Sequence, residues 1–185
     1  MKIRVKFSFP AALAVMLLTD RQGTAIMCLA ACLLHELGHI IVMLFERKPP
    51  REIVFYGGGI HISDGGCASV AAAGAGCAFN LLLFAAFYFL PFAGEKMRLF
   101  AVINLLLAVF NLLPLKELDG HILLERALLC AFAPEKAARA LDVCEKVLLI
   151  FIVPAAAVLV FSGYMSFSAI IFLFYLLAVD IFDKM

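Results

Sequence analysis

The chain has 185 residues, 65% of them hydrophobic, and a formal net charge of +1 from fifteen Lys and Arg against fourteen Asp and Glu. A mean hydropathy of +1.07 exceeds what a soluble domain of this length needs to fill its core, so lipid is read as the solvent for most of the chain. The near-neutral charge gives no reason to expect nucleic acid as a partner.

The start carries Lys2, Arg4 and Lys6, followed by an apolar run over residues 7–19. That run is short for a helix crossing about 30 Å of hydrocarbon and has the look of a signal peptide. It ends in Thr19-Asp20-Arg21-Gln22-Gly23 without a small-x-small pair, and is therefore read as a retained first span. A second span covers 24–45 and is interrupted by His35-Glu36-Leu37-Gly38-His39. Ionisable groups at membrane depth are costly, so their presence points to function. The four-residue spacing stacks both imidazoles on one helical face, where they can converge on one metal ion, with Glu36 beside them to activate a water.

Next come Pro49-Pro50-Arg51-Glu52, Ile53-Val54-Phe55-Tyr56, three glycines, and Ile60-His61-Ile62-Ser63. Two β-rich runs around a glycine turn predict a small membrane-associated hairpin. Further spans follow at 67–93, 99–115, 147–161 and 164–182. Between the fourth and fifth, Ile122 to Phe132 reads as a helix, and Pro134 opens another that continues into the fifth span, with Pro154 as a bend. The expected fold class is all-α and multi-pass, about six transmembrane helices with the hairpin between the second and third, in a single domain over 1–185.

Basic residues set the orientation. With the N-terminus inside, Lys2, Arg4, Lys6, Arg47, Lys48, Arg51, Lys116, Arg126, Lys136, Arg139, Lys146 and Lys184 are cytoplasmic, and only Arg21, Lys96 and Arg98 lie outside. Both termini are expected in the cytoplasm, with the histidine site toward that side of the cell membrane. The six cysteines form no C-x-x-C pair and read as small buried hydrophobes, although Cys32, a turn before His35, is a candidate donor.

A catalytic zinc takes three protein ligands and keeps one position open. His61, Asp64, Glu117, Asp119 and His121 all lie toward the cytoplasmic boundary as third donors. Residue chemistry favours Asp119 only slightly over His121, because Gly120 permits a tight turn around an ion.

The pairing of HELGH with Asn111-x-x-Pro114-x-x-x-Leu118-Asp119-Gly120 resembles the site-2 proteases, intramembrane zinc metalloproteases, over most of the chain. The resemblance implies one zinc per chain held by His35, His39 and Asp119, with Glu36 as general base. It implies hydrolysis of peptide bonds in or near transmembrane segments of membrane-associated or single-span substrates, with the lipid bilayer and an inhibitory membrane protein as further partners. Ala75-Gly76-Cys77-Ala78-Phe79-Asn80 is similar to the family's A-G-P-x-x-N element, with Cys77 in place of proline, a change that bears on the local backbone. Asn80 and Asn111 are carried over as substrate or transition-state contacts, Asn111 with helix packing as an equal alternative. The short loops look most like the sporulation sigma-factor processing subgroup, without its C-terminal nucleotide-sensing domain, which would make release of a membrane-tethered transcription factor the output. Ile53, Val54, Phe55 and Tyr56 are expected to pair with an unwound substrate strand. A metal transporter and a catalytically inactive scaffold are the alternative readings.

Overall fold

The computed structural model describes residues 2–5, 14, 20, 23–50, 52–56, 59–63, 69–91, 94–116 and 118–162. In chain order they form β1 (Lys2–Val5), α1 (Thr24–Phe45), β2 (Glu52–Tyr56), β3 (Gly59–Ser63), α2 (Val70–Tyr88), α3 (Glu95–Asn111), α4 (Asp119–Ala131) and α5 (Pro134–Phe161). The expected span over 7–19, apart from Ala14, and that over 164–182 lie outside the described residues.

Local chemistry sets the ends of α1. Gly23 takes a left-handed φ of 77°, and Asp20 accepts hydrogen bonds from Thr24 Oγ1 at 3.0 Å and the Ala25 N–H at 2.7 Å. At the far end Lys48 N–H donates to Met43 O and Arg47 N–H to Leu44 O, with Arg47 at φ 57° where glycine is usual. Pro49 and Pro50 follow, and neither can donate to a continuing helix. Ser69 caps α2 by accepting from Ala72 N–H at 2.9 Å, and its own hydroxyl donates to Glu46 Oε1, which joins the end of α1 to the start of α2.

The run of Ala and Gly at the start of α2 lets α1 approach closely. A Cβ on Gly38 would lie 2.9 Å from both Ala75 O and Phe79 Cβ, so side-chain-free packing is required there. α3 packs on both helices, and β3 lies against α1. Helices α1 and α2 are long and apolar enough to cross a membrane, yet only 22% and 33% of their apolar stretches are buried. A core helix of a soluble protein would be mostly covered, whereas Ile26 at 61% and Phe45 at 84% exposure face outward here.

The chain divides into two units. The first, Met1–Leu113 with Leu118–Leu123, contains the sheet, α1 to α3 and the first turn of α4. In the second, Pro114–Glu117 with Leu124–Met185, Ala137 and Leu141 are buried and Glu145 accepts from Lys116 N–H at 3.4 Å. The helix opened by Pro134 runs unbroken through the expected fifth span, with Pro154 inside it.

Two expectations for the sheet change. It has three strands in the order β1-β2-β3, and the residues read only as a basic flank supply one of them. β1 runs parallel to β2, with Ile3 opposite Ile53, and β2 runs antiparallel to β3, with Ile53 opposite Ile62. Ile53 to Tyr56 therefore form the central strand. Both of its edges are already hydrogen-bonded, which leaves it no free edge for the substrate pairing expected there.

Candidate metal centre

The i, i+4 spacing on α1 puts His35 and His39 on one face, with ring centroids 4.8 Å apart at 79°. Asp119, the first residue of α4, comes to them because Gly120 packs against the Leu112 and Leu113 carbonyls more closely than any side chain allows. Asp119 Oδ2 lies 3.0 Å from His35 Nε2 and 3.1 Å from His39 Nε2, and the two Nε2 atoms are 3.2 Å apart. Among the described residues this trio is the group able to hold a metal, and Cys32 and His121 stand outside it. Asp64 and Glu117 lie outside the described residues, and His61 sits on β3 opposite Val54.

The distances can be tested against a metal. Donors at 2.0–2.1 Å from a tetrahedral zinc sit about 3.3 Å from one another, close to the three separations found. Protons point the same way. His39 Nδ1 is 2.7 Å from Ala72 O, and a carbonyl only accepts, so Nδ1 carries the hydrogen and a neutral ring turns its Nε2 lone pair toward Asp119 and His35. A lone pair facing a carboxylate at 3.1 Å is repulsive, so a metal ion or a second ring proton must lie between them. Burial raises the Asp119 pKa, but where the metal-free rings carry a proton on Nε2 their hydrogen bonds and charge outweigh it and hold the carboxyl at about 2, the ionised form a metal also requires.

Helix α2 contributes no ligand and touches all three. Ala72 O holds His39, Asn80 Nδ2 lies 3.3 Å from His35 Nδ1, and Cys77 Sγ–H donates to Asp119 Oδ2 at 3.5 Å. Gly76 lies under the donors: a Cβ there would be 2.7 Å from His35 Nε2 and closer still to His39 Nε2. Cys77 thus bears on the ligand chemistry as well as on the backbone, which continues helically through it. Asn80, at 0% exposure, lies on the Nδ1 side of His35. Asn111 is half-buried, and its amide donates to Leu107 O at 3.0 Å. The roles of Ala72 and Gly76 were missed, although the spacing of four linking Ala72, Gly76 and Asn80 was available as a signal of one helical face. Glu36, half-buried beside His35, lies within electrostatic reach of His39 and Asp119.

Fold and donors together define a helical protein with two exposed apolar helices and a His-His-Asp group able to bind a metal. The fold is similar to that of the site-2 protease from Methanocaldococcus jannaschii, with a TM-score of 0.60 and 19% sequence identity over 86% of this chain and 84% of that one. No protein-family model and no curated protein matches the sequence.

Proposed function

We propose that the chain is an intramembrane zinc metalloprotease of the site-2 type, hydrolysing peptide bonds in or near the transmembrane segments of membrane-associated substrates. The observation that carries this reading is the set of three donor separations of 3.0, 3.1 and 3.2 Å beside Glu36, on an apolar helix. His35, His39 and Asp119 would hold the zinc, which when bound lowers the pKa of a water toward about 7 and polarises the scissile carbonyl. Glu36 takes the water proton and delivers it to the leaving amine. Asn111 keeps a second N–H after its bond to Leu107 O and is assigned to the substrate carbonyl. An unwound substrate strand would add to the outer edge of β1 or β3. The narrower reading, release of a membrane-tethered transcription factor during sporulation under a restraining membrane partner, rests on the sequence resemblance alone.

Orientation belongs to the same proposal. β1 and β2 share one sheet, which supports placing Lys2–Val5 and Glu52–Tyr56 on one side of the membrane. With the basic residues inside, that side is the cytoplasm.

The test is a pair of measurements on purified protein, zinc content and cleavage of single-span test substrates, for wild type and Glu36→Gln. Zinc is expected in both and cleavage only in wild type. Equal cleavage by both removes Glu36 as the base, zinc movement across vesicles without cleavage supports a transporter, and neither activity supports a scaffold.

A further inference from the structure

The side chain facing His35 Nδ1 is Asn80, at 0% exposure. Its Nδ2 lies 3.3 Å from His35 Nδ1, and its Oδ1 is buried with no hydrogen-bond partner. An amide nitrogen only donates, so in this arrangement Nδ1 accepts and the proton of a neutral His35 is on Nε2, where it points at Asp119 Oδ2, 3.0 Å away. That proton occupies the lone pair a metal needs. His39 shows the opposite arrangement, with Nδ1–H on Ala72 O and Nε2 open toward the centre.

The geometry points to Asn80 as a tautomer switch for the metal centre: a half-turn of its amide exchanges Nδ2 for Oδ1 opposite His35 Nδ1. Oδ1 then accepts Nδ1–H, and Nε2 is freed as a metal donor. An amide can do this because it carries a donor and an acceptor at nearly the same distance, which neither an alcohol nor a carboxylate matches in that shape. Before loading, Asn80 stabilises the proton that His35 Nε2 shares with Asp119. After loading, it does for His35 what the fixed Ala72 carbonyl does for His39. Asn80 is thus a positioning residue acting through His35 and not a substrate contact. The inference rests on the metalloprotease reading for the identity of the ion.

The experiment measures zinc affinity by chelator competition on the purified full-length protein in detergent, for wild type, Asn80→Ala and Asn80→Asp. Removing the partner of a metal-bound histidine weakens binding about 10- to 100-fold, which is the loss expected for Asn80→Ala. Asn80→Asp presents an acceptor to Nδ1–H and is expected to stay within a few-fold of wild type. Nitrogen-15 spectra of histidine-labelled wild type provide a readout that needs no substitution, with the His35 proton on Nε2 without zinc and on Nδ1 with it. Wild-type affinity in Asn80→Ala, an equal loss in Asn80→Asp, or a His35 proton that stays on one nitrogen in both states overturns the switch while leaving the protease reading intact. A wild type that binds no zinc overturns both.

Discussion

Gly76 bears a steric demand at the metal centre itself, because the space its missing side chain leaves is the space in which the donors meet. A Cβ at this position would stand 2.7 Å from His35 Nε2 and His35 Cε1 and nearer to His39 Nε2, so Gly76→Ala must push both rings off their common point. Gly74, two residues earlier on the same helix, is an internal control. Its Cβ would meet only Leu123 Cδ2 at 3.6 Å and Leu123 Cδ1 at 3.9 Å, ordinary contact distances. Gly76→Ala is expected to purify without stoichiometric zinc, whereas Gly74→Ala keeps its metal and gains about 0.5–1 kcal/mol from the helix preference of alanine over glycine. Elemental analysis with thermal unfolding of both variants checks this, and zinc in Gly76→Ala at the wild-type level would show that the ion binds elsewhere. The histidine pair was legible because its spacing equals the helix repeat. Asp119 was legible only through its resemblance to a known motif, since residue chemistry left His121 nearly as good. What separates them is that the chain folds back at Gly120, a close backbone approach that the sequence marks only with a glycine.

At the scale of elements, α2 is the part that periodicity could not interpret. Its first half, Val70 to Ala78, is small and apolar on every side, and its role, orienting three ligands that lie on two other helices, exists only in tertiary contact. The position of β1 was hidden for a related reason: four residues are too few for an alternating pattern, and what pairs them is β2, about fifty positions away. The Ser69 cap shows how the elements depend on one another. Ser69 links Glu46 at the end of α1 to the Ala72 amide, and the Ala72 carbonyl holds His39, so the first turn of α2 stands between the α1 terminus and a metal ligand. Loss of an N-cap costs about 1 kcal/mol. Ser69→Ala is therefore expected to lower stability by about that amount in a denaturant titration of the micelle-bound protein, with Ser69→Thr recovering most of it. A Ser69→Ala variant as stable as wild type would mean that water replaces the hydroxyl without loss.

For the whole molecule, the exposed apolar faces of α1 and α2 and the distribution of basic residues make a joint claim about position in the cell. Apolar helices with only 22% and 33% of their length covered would aggregate in water, each exposed Leu or Ile side chain forfeiting about 1.5–3 kcal/mol of transfer free energy. The protein is accordingly expected to sediment with membranes, to resist alkaline extraction and to dissolve only in detergent. Thiol chemistry can then read the orientation. Cys130 on α4 and Cys144 on α5 are free and exposed, and they lie among Arg126, Lys136, Arg139 and Lys146, on the side that the proposed orientation puts in the cytoplasm. A variant retaining Cys144 as its sole cysteine should escape a membrane-impermeant maleimide in intact cells and react with it in inverted vesicles. Reaction in intact cells would overturn the proposed orientation of this segment.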